Sequence, residues 1–320
     1  MNNTPSTTSH LSRGYTVALL SSVTLSTTAI FIRYLTETYQ MPSLVLAFWR
    51  DVFVTMVLLL VLALLRPNLL RVNRVHLQYL LLYGLLLAIF NASWTQSVAL
   101  NGAAISTVLV YSSVAFTALL GWLFLKERLN WSKAAAISLC LAGCVLVSGV
   151  LNTSVSSLTG FGIFTGVLSG LLYAIYSLMG RSASQRGLNP WTTLLYTFGF
   201  AAVFLLIFNL LPVGLPGAAA QSADLMWLGD ERAGWGILLL LAAGPTLAGF
   251  GFYNVSLVYL PSSVANLIMT TEPVFTAVIA FFLLGERLNP TQIFGSILIL
   301  SGVVLLRVFE GKLERVESNG

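Results

Sequence analysis

The feature that most constrains this chain is a series of apolar runs, each about 20 residues long, separated by short polar or charged breaks. About 20 helical residues cross the hydrocarbon core of a bilayer. Within that core every backbone N–H and C=O must be paired inside its own segment, so runs of this length fold as helices. Ten can be placed, at about 15–35, 43–65, 77–99, 102–125, 132–150, 160–180, 190–211, 234–257, 262–284 and 290–309. Composition points the same way. Only 8% of the residues are charged, whereas a soluble domain carries about a quarter, and so few could not cover a water-facing surface.

The net charge of +5 does not indicate a nucleic-acid partner, because the bases sit at the ends of the apolar runs rather than on a soluble face. With the N-terminus in the cytoplasm, the inside segments hold twelve of them: Arg13; Arg66, Arg71 and Arg74; Lys126, Arg128 and Lys133; Arg181 and Arg186; Arg307, Lys312 and Arg315. Arg232 and Arg287 fall outside, while Arg33 and Arg50 lie within spans. That bias places both termini inside. The Ser- and Thr-rich start lacks a basic region and a cleavage site, so the first span is expected to remain. Cys140 and Cys144 lie one helical turn apart in one run and read as small packing residues, since a disulfide along one helix face is poor geometry.

Two internal matches divide the chain. LKERLN at 125–130 and LGERLN at 284–289 are offset by 159 residues. Phe116-Thr117-Ala118 and Phe275-Thr276-Ala277 share that offset, as do Gly143 and Gly302. Nearer the start Gly14, Arg33 and Pro42 match Gly162, Arg181 and Pro190 at an offset of 148. The difference of 11 is the longer connection at 212–233 compared with 66–76. The chain is therefore a tandem duplication. Five spans is an odd number, so the second copy enters the membrane inverted, a plan that lets one midplane site open alternately to either side.

The segment Thr271-Glu272-Pro273-Val274-Phe275-Thr276-Ala277, continuing to Leu284-Gly285-Glu286-Arg287-Leu288, resembles the signature of EamA-type carriers of the drug/metabolite transporter superfamily. Tyr111 to Phe116 and Lys126-Glu127-Arg128-Leu129 echo it in the first half, and Trp49-Arg50 resembles an aromatic-Arg position of the second span. Within the superfamily the chain looks most like the YddG-type bacterial exporters of amino acids, aromatic ones included. The resemblance implies an all-α polytopic membrane protein, with ten transmembrane helices in two inverted five-helix repeats around a central cavity. The organisation expected is a cytoplasmic tail over 1–14, a first EamA-like repeat over 15–150, an inverted second repeat over 156–309 and a cytoplasmic tail over 310–320. Where the second copy has Glu272-Pro273 the first has Ser113-Val114, so any role of that pair is not duplicated.

A charge within a span costs about 2.5–3.5 kcal/mol on insertion scales and usually faces protein or water. Arg50 could attract a substrate carboxylate or form an ion pair with Asp51. Glu272 could hold a proton or a substrate ammonium, or hydrogen-bond to a neighbouring helix at the bend that Pro273 introduces by failing to donate to the Met269 carbonyl. The duplication pairs Trp94 with Tyr253 and Tyr111 with Thr270. Asn91 shares a helix face with Trp94, and Ser97 extends it. Rings beside hydrogen-bonding groups suit a neutral or ring-bearing solute. The expected substrate-binding set is Arg50, Asn91, Trp94, Tyr111, Tyr253, Thr270 and Glu272, with Tyr173 and Tyr176 as weaker candidates. Trp122, Trp131, Trp191 and Trp235, near span ends, read as an interfacial belt, and Arg33 as an interface anchor. Glu127-Arg128 and Glu286-Arg287 are expected to cap helix ends.

Arg50 is the one deep base, which argues against phosphorylated solutes. The two histidines, His10 in the tail and His76 in a loop, have no Cys or carboxylate cluster beside them, so neither enzyme chemistry nor a cofactor or metal is expected. The reading is a secondary exporter of small neutral metabolites, amino acids first, in the bacterial inner membrane. Its partners are a small-molecule substrate and the lipid bilayer, with protons as a candidate coupling ion and a monomer as the candidate assembly. The alternative is a multidrug exporter of lipophilic cations, which Glu272 and the aromatic rings would also suit. A scaffold or sensor would leave the inverted repeat unexplained.

Overall fold

The computed structural model describes residues 7–127, 129–147, 160–211, 214–284 and 290–318. Among the described residues the secondary structure is helical, without strands. Helix α1 comprises Thr7–Leu25 and Thr28–Thr38, and α2 is Ser43–Leu65. A continuous assignment over Leu77–Tyr111 holds two spans, because Gly102 (φ 77°, ψ 165°) turns the chain between them. A positive φ of this kind suits a residue without a Cβ. Helix α3 is thus 77–101, and α4 is 103–111 continued by Ser113–Leu125. Trp131–Val147 forms α5, Gly160–Gln185 α6 and Pro190–Leu210 α7. Helix α8 runs Arg232–Leu241, a π-helical turn at Ala242–Thr246, then Leu247–Tyr259. Ser262–Met269 and Glu272–Leu284 make α9, and Pro290–Ser318 makes α10. Arg128, Glu286 and Arg287 lie outside the described residues.

The helices overrun the hydropathy-based spans at both ends, with α1 beginning at Thr7 and α10 reaching Ser318. Hydropathy stops where polar residues begin, but a helix continues until a breaker ends it. Glu, Lys, Leu and Arg beyond residue 309 are good helix formers.

The halves pack with exchanged partners. Helix α1 lies along α8 as α6 lies along α3, and α9 crosses α1 as α4 crosses α6. The pairs α5–α10 and α2–α7 relate to themselves. At α5–α10 the exchange is legible residue by residue. A Cβ on Gly143 would meet Ile299 Cγ1 at 2.6 Å and the Gly295 carbonyl at 2.7 Å. A Cβ on Gly302 would meet Cys140 Sγ at 2.6 Å and the Ala136 carbonyl at 3.0 Å. At the offset of 159, Gly302 is the mate of Gly143, Ile299 of Cys140 and Gly295 of Ala136. Each contact is therefore its partner's image, as a two-fold relation requires. Small residues let the backbones approach, which is how helices associate in lipid without a hydrophobic drive.

Candidate functional site

Three helices are interrupted at one level. Helix α1 breaks at Ser26-Thr27, α4 at Ser112 and α9 at Thr270-Thr271. The break in α9 comes immediately before Glu272-Pro273, and Thr270 N–H and Thr271 N–H reach back to the Leu267 and Ile268 carbonyls in 3₁₀ fashion. Its position is the repeat image of the break at Ser112. The broken ends are stitched together: the Ser22 and Thr271 hydroxyls pair at 2.8 Å, and Thr276 Oγ1 donates to the Ser26 carbonyl at 2.8 Å. The image of the Ser22–Thr271 pair is a close approach of Gly170 to Ser112 Oγ.

Around these breaks lies a central cavity lined by Leu25, Thr28, Arg50, Phe90, Asn91, Trp94, Val110, Tyr111, Tyr173, Phe250 and Glu272. Its volume is about 50 Å³, room for a few waters and far below the roughly 300–1,000 Å³ of ligand pockets.

Two polar clusters contribute to its lining. Arg50 Nε lies 3.4 Å from Asp51 Oδ1, and Asn91 Nδ2 donates to Asp51 Oδ2 at 2.6 Å. All three are buried, with Arg50 2% exposed. Arg50 Nη2 has no hydrogen-bond partner among the described residues, and neither does Thr28 Oγ1. In the second cluster Tyr111 donates its hydroxyl to Glu272 Oε2 at 2.7 Å. Buried polar atoms are paired in the great majority of cases, so two orphans in one cavity wall ask for an acceptor within it.

The remaining wall is aromatic. Phe90 and Tyr173 stack at 5.4 Å between ring centroids, and Phe250 meets Phe90 edge-on at 6.5 Å. Trp94 completes it.

Of the seven residues expected from the sequence, Arg50, Asn91, Trp94, Tyr111 and Glu272 line this cavity together. Tyr253 and Thr270 do not, and the expectation is corrected for both. Tyr253 stands behind Tyr173, stacked on it at 5.5 Å, with its hydroxyl on Ser177 Oγ at 2.6 Å. Thr270 is fully buried and spends its hydroxyl on the Leu267 carbonyl at 2.6 Å. Tyr173, the weaker candidate, does line the cavity, while Tyr176 packs against Tyr253 and receives a hydrogen bond from Asn254. Ser97 bonds to Ser106 instead of extending the lining. Thr28, Phe90 and Phe250 were missed, whereas Asp51 is the ion-pair partner of Arg50 that the sequence suggested. Phe250 was within reach, because it is the repeat mate of Asn91.

Among the described residues, contacts tie the helices together at each end of the bundle. At the end that collects the bases, Glu127 sits over the start of α9, where its Oε1 accepts from Ser262 N–H at 2.7 Å and from Ser262 Oγ at 2.5 Å. Its Oε2 accepts from Ser263 N–H at 3.2 Å and from the Ser263 hydroxyl. A carboxylate on free N–H groups at a helix N-terminus is favoured by both hydrogen bonding and the helix dipole. Buried Lys133 donates to Ser263 Oγ at 3.1 Å, and Arg181 Nη1 donates to the Leu257 and Val258 carbonyls at 2.7 and 3.0 Å. The image of Ser262-Ser263 in the first repeat is Ala103-Ala104, which has no hydroxyls. Arg33, the mate of Arg181, instead pairs with Glu37 on the surface.

At the opposite end the long α7–α8 connection folds across the mouth. Leu44 N–H donates to the Gly217 carbonyl at 2.8 Å, Trp49 Nε1 to the Leu225 carbonyl at 2.6 Å and Trp227 Nε1 to the Tyr39 carbonyl at 2.9 Å. Ser43 bonds to Gln96 beneath it.

The sequence profile of the EamA-like transporter family matches residues 12–149 and 160–308, one copy on each half. The chain belongs to that family. Its relatives are named transporters, not enzymes, and it is a multi-pass membrane protein. An Archaeoglobus fulgidus protein described as an uncharacterized transporter is 29% identical over 223 residues, covering 68% of this chain and 74% of its own. A Bacillus subtilis transporter is 29% identical over 59% of this chain and 57% of its own length. A Salmonella typhimurium protein described as a probable amino-acid metabolite efflux pump is 27% identical over 281 residues, 87% of this chain and 89% of that one. One crystal structure superposes with a TM-score of 0.69 at 16% identity, covering 96% of this chain and 99% of its own, and so shares the fold.

Proposed function

We propose that this transporter exports small neutral metabolites, amino acids including aromatic ones foremost, by alternating access across the bacterial inner membrane. Its basic end and both termini face the cytoplasm, in keeping with the charge bias. The observation that carries the reading is the pair of orphaned groups, Arg50 Nη2 and Thr28 Oγ1, in the same cavity wall system as Glu272. A zwitterion satisfies both poles: its carboxylate accepts from Arg50 and Thr28, and its ammonium meets Glu272. The side chain lies among Phe90, Trp94, Tyr173 and Phe250. The relative described as an amino-acid metabolite efflux pump supports the same substrate class.

Admission requires the contacts at one end to part while those at the other hold. Parting Glu127 and Lys133 from Ser262-Ser263 opens the cavity to the cytoplasm. Lifting the 214–231 connection off α2 opens it to the other side. Glu272 is also the residue placed to carry a coupling proton, because it lines the cavity and accepts only from Tyr111 among the described residues.

One observation favours a second reading, the export of lipophilic cations. Glu272 is the carboxylate in the cavity lining, while the guanidinium of Arg50 is already paired with buried Asp51, and the rings add cation–π attraction. Uptake of a labelled amino-acid panel into proteoliposomes, with and without a pH gradient and with paraquat as competitor, separates the two. Saturable uptake of neutral or aromatic amino acids is expected. Paraquat transport without amino-acid flux would replace the first reading with the second. Glu272→Gln is expected to abolish gradient-driven uptake and spare exchange, and unchanged driven uptake would remove the proton from the mechanism.

A further inference from the structure

The outer face of the bundle holds a space larger than the central cavity. A crevice of about 730 Å³ opens between α2 and α8 on the outer face of the bundle. Its walls are Leu58, Val61, Leu62 and Leu65 of α2 on one side and Ala243, Leu247 and Ala248 of α8 on the other, with Trp191 of α7 at the side. The floor is core, with Leu58, Leu62 and Leu247 at 2%, 5% and 9% exposure. It lies beside the π-helical turn Ala242–Thr246, where Pro245 interrupts the ladder and small side chains leave the gap unfilled. Gly84, the repeat mate of Ala243, is so close to α7 that a Cβ there would meet Phe200 Cβ at 2.4 Å, whereas Ala243 borders open space.

Its mouth is polar and built. At the end of α2 the chain turns into a short 3₁₀ helix, Pro67–Leu70, whose Leu69 and Leu70 carbonyls accept from Thr192 Oγ1 at 2.7 Å and Tyr196 hydroxyl at 2.8 Å. This holds Arg66 and Asn68 at the rim beside Asn189. Arg66 pairs with no carboxylate among the described residues. Asn189 Oδ1 accepts from Trp191 N–H at 2.9 Å, which leaves Nδ2 as the donor of this side chain.

We propose that this crevice is a binding site for an anionic phospholipid of the leaflet at the basic end, one acyl chain filling the apolar cleft and the phosphate held by Arg66 with the Asn68 and Asn189 amides. An apolar gap on the lipid-facing surface forfeits dispersion contacts unless an acyl chain fills it. A basic rim at headgroup level attracts anionic headgroups, and guanidinium with phosphate makes strong charge-assisted hydrogen bonds.

The test uses the full chain, purified in detergent, stripped of lipid and titrated with dioleoylphosphatidylglycerol, with bound lipid counted by native mass spectrometry. One lipid is expected to be retained by the wild type and by Arg71→Gln, a charge-matched control in the same loop but off the crevice. Arg66→Gln is expected to weaken retention tenfold or more, and Ala243→Phe to abolish it. Ala248→Leu, a smaller filling of the same cleft, should weaken it if the larger one prevents folding. Equal retention in all the variants would overturn the proposal, as would retention of dioleoylphosphatidylcholine as tight as that of the glycerol lipid. Displacement of the lipid by an aromatic amino acid would also overturn it, and make the crevice a lateral portal for substrate.

Discussion

At Arg50 the chain holds a guanidinium almost wholly out of water, 2% exposed, beside a single carboxylate and with one nitrogen left over. Burying an ion pair is expensive, and the pair repays it only when the remaining donors are satisfied. Under the proposed function a substrate carboxylate satisfies them, which makes Arg50→Lys the informative change. The charge stays beside Asp51, whereas the second branch of the guanidinium is lost. A hydrogen bond to a charged group contributes about 1.5–3 kcal/mol, and about 1.4 kcal/mol is tenfold in affinity. Arg50→Lys should therefore raise KM at least tenfold for amino acids and little for their carboxamides, measured as competition in proteoliposome uptake. Equal losses for both would remove Arg50 from substrate binding. Tyr253 carries the opposite expectation. Tyr253→Phe gives up the bond to Ser177, so it should lower stability by about 1 kcal/mol and leave KM unchanged. Of the five candidates that line the cavity, Arg50, Asn91 and Glu272 were legible because a charge or amide in an apolar run must face protein or water, and Trp94 and Tyr111 because the repeat pairs them with polar or aromatic mates. Tyr253 and Thr270 were misplaced because the repeat gives equivalent positions, not equivalent exposure. Tyr173 takes the place beside the cavity, and Tyr253 is left behind it.

The elements divide into those that meet at the cavity and those that close its ends, and the two closures differ in kind. At the basic end one carboxylate, Glu127, caps α9 through four donors. The sequence pointed to Glu127 as a cap but not to the helix it caps, because a capping residue is sought next to its own helix, whereas Glu127 reaches α9 from the α4–α5 turn 135 residues away. Gly121 leaves room for it, since a Cβ there would lie 2.8 Å from Glu127 Oε2. Glu127→Gln and Gly121→Ala should both loosen the closure. A cysteine at Thr117, below the cap, is then expected to react with an impermeant maleimide several-fold faster from the basic side, in a background lacking Cys140 and Cys144. Unchanged rates in both variants would show that the closure lies elsewhere. At the opposite end the closure is the insertion that separates the two repeat registers. Gly217, with φ 76°, brings its backbone so close to α2 that a Cβ would meet Ser43 Oγ at 2.0 Å. Gly217→Ala should therefore open that end, raising labelling of Gln96→Cys from the outer side. The reason for an insertion there was invisible until the fold placed it across a mouth.

For the whole molecule, the duplication made most of the architecture legible in advance. Ten apolar runs, one insertion and an odd span count leave little choice but two inverted halves. What stayed hidden was where the two-fold relation is kept and where it is broken. It is kept at α5–α10, and there it makes a test that depends on the molecule and not on either helix alone. Gly302→Ala puts a methyl 2.6 Å from Cys140 Sγ and 3.0 Å from the Ala136 carbonyl. Overpacking of this kind costs about 1–3 kcal/mol. The nearer obstacle is a side chain, so Cys140→Ala should recover part of the loss, with a coupling of about 0.5 kcal/mol or more in a double-mutant cycle. Gly143→Ala is the image substitution, but its methyl would also meet the Gly295 carbonyl at 2.7 Å. Backbone cannot be trimmed, so Ile299→Ala should recover little. Thermal unfolding of the single and double variants in detergent decides it. Rescue at Gly302 without rescue at Gly143 is expected. Rescue at both would mean that α10 can shift away from α5, and that this image contact is not a rigid axis about which the halves exchange.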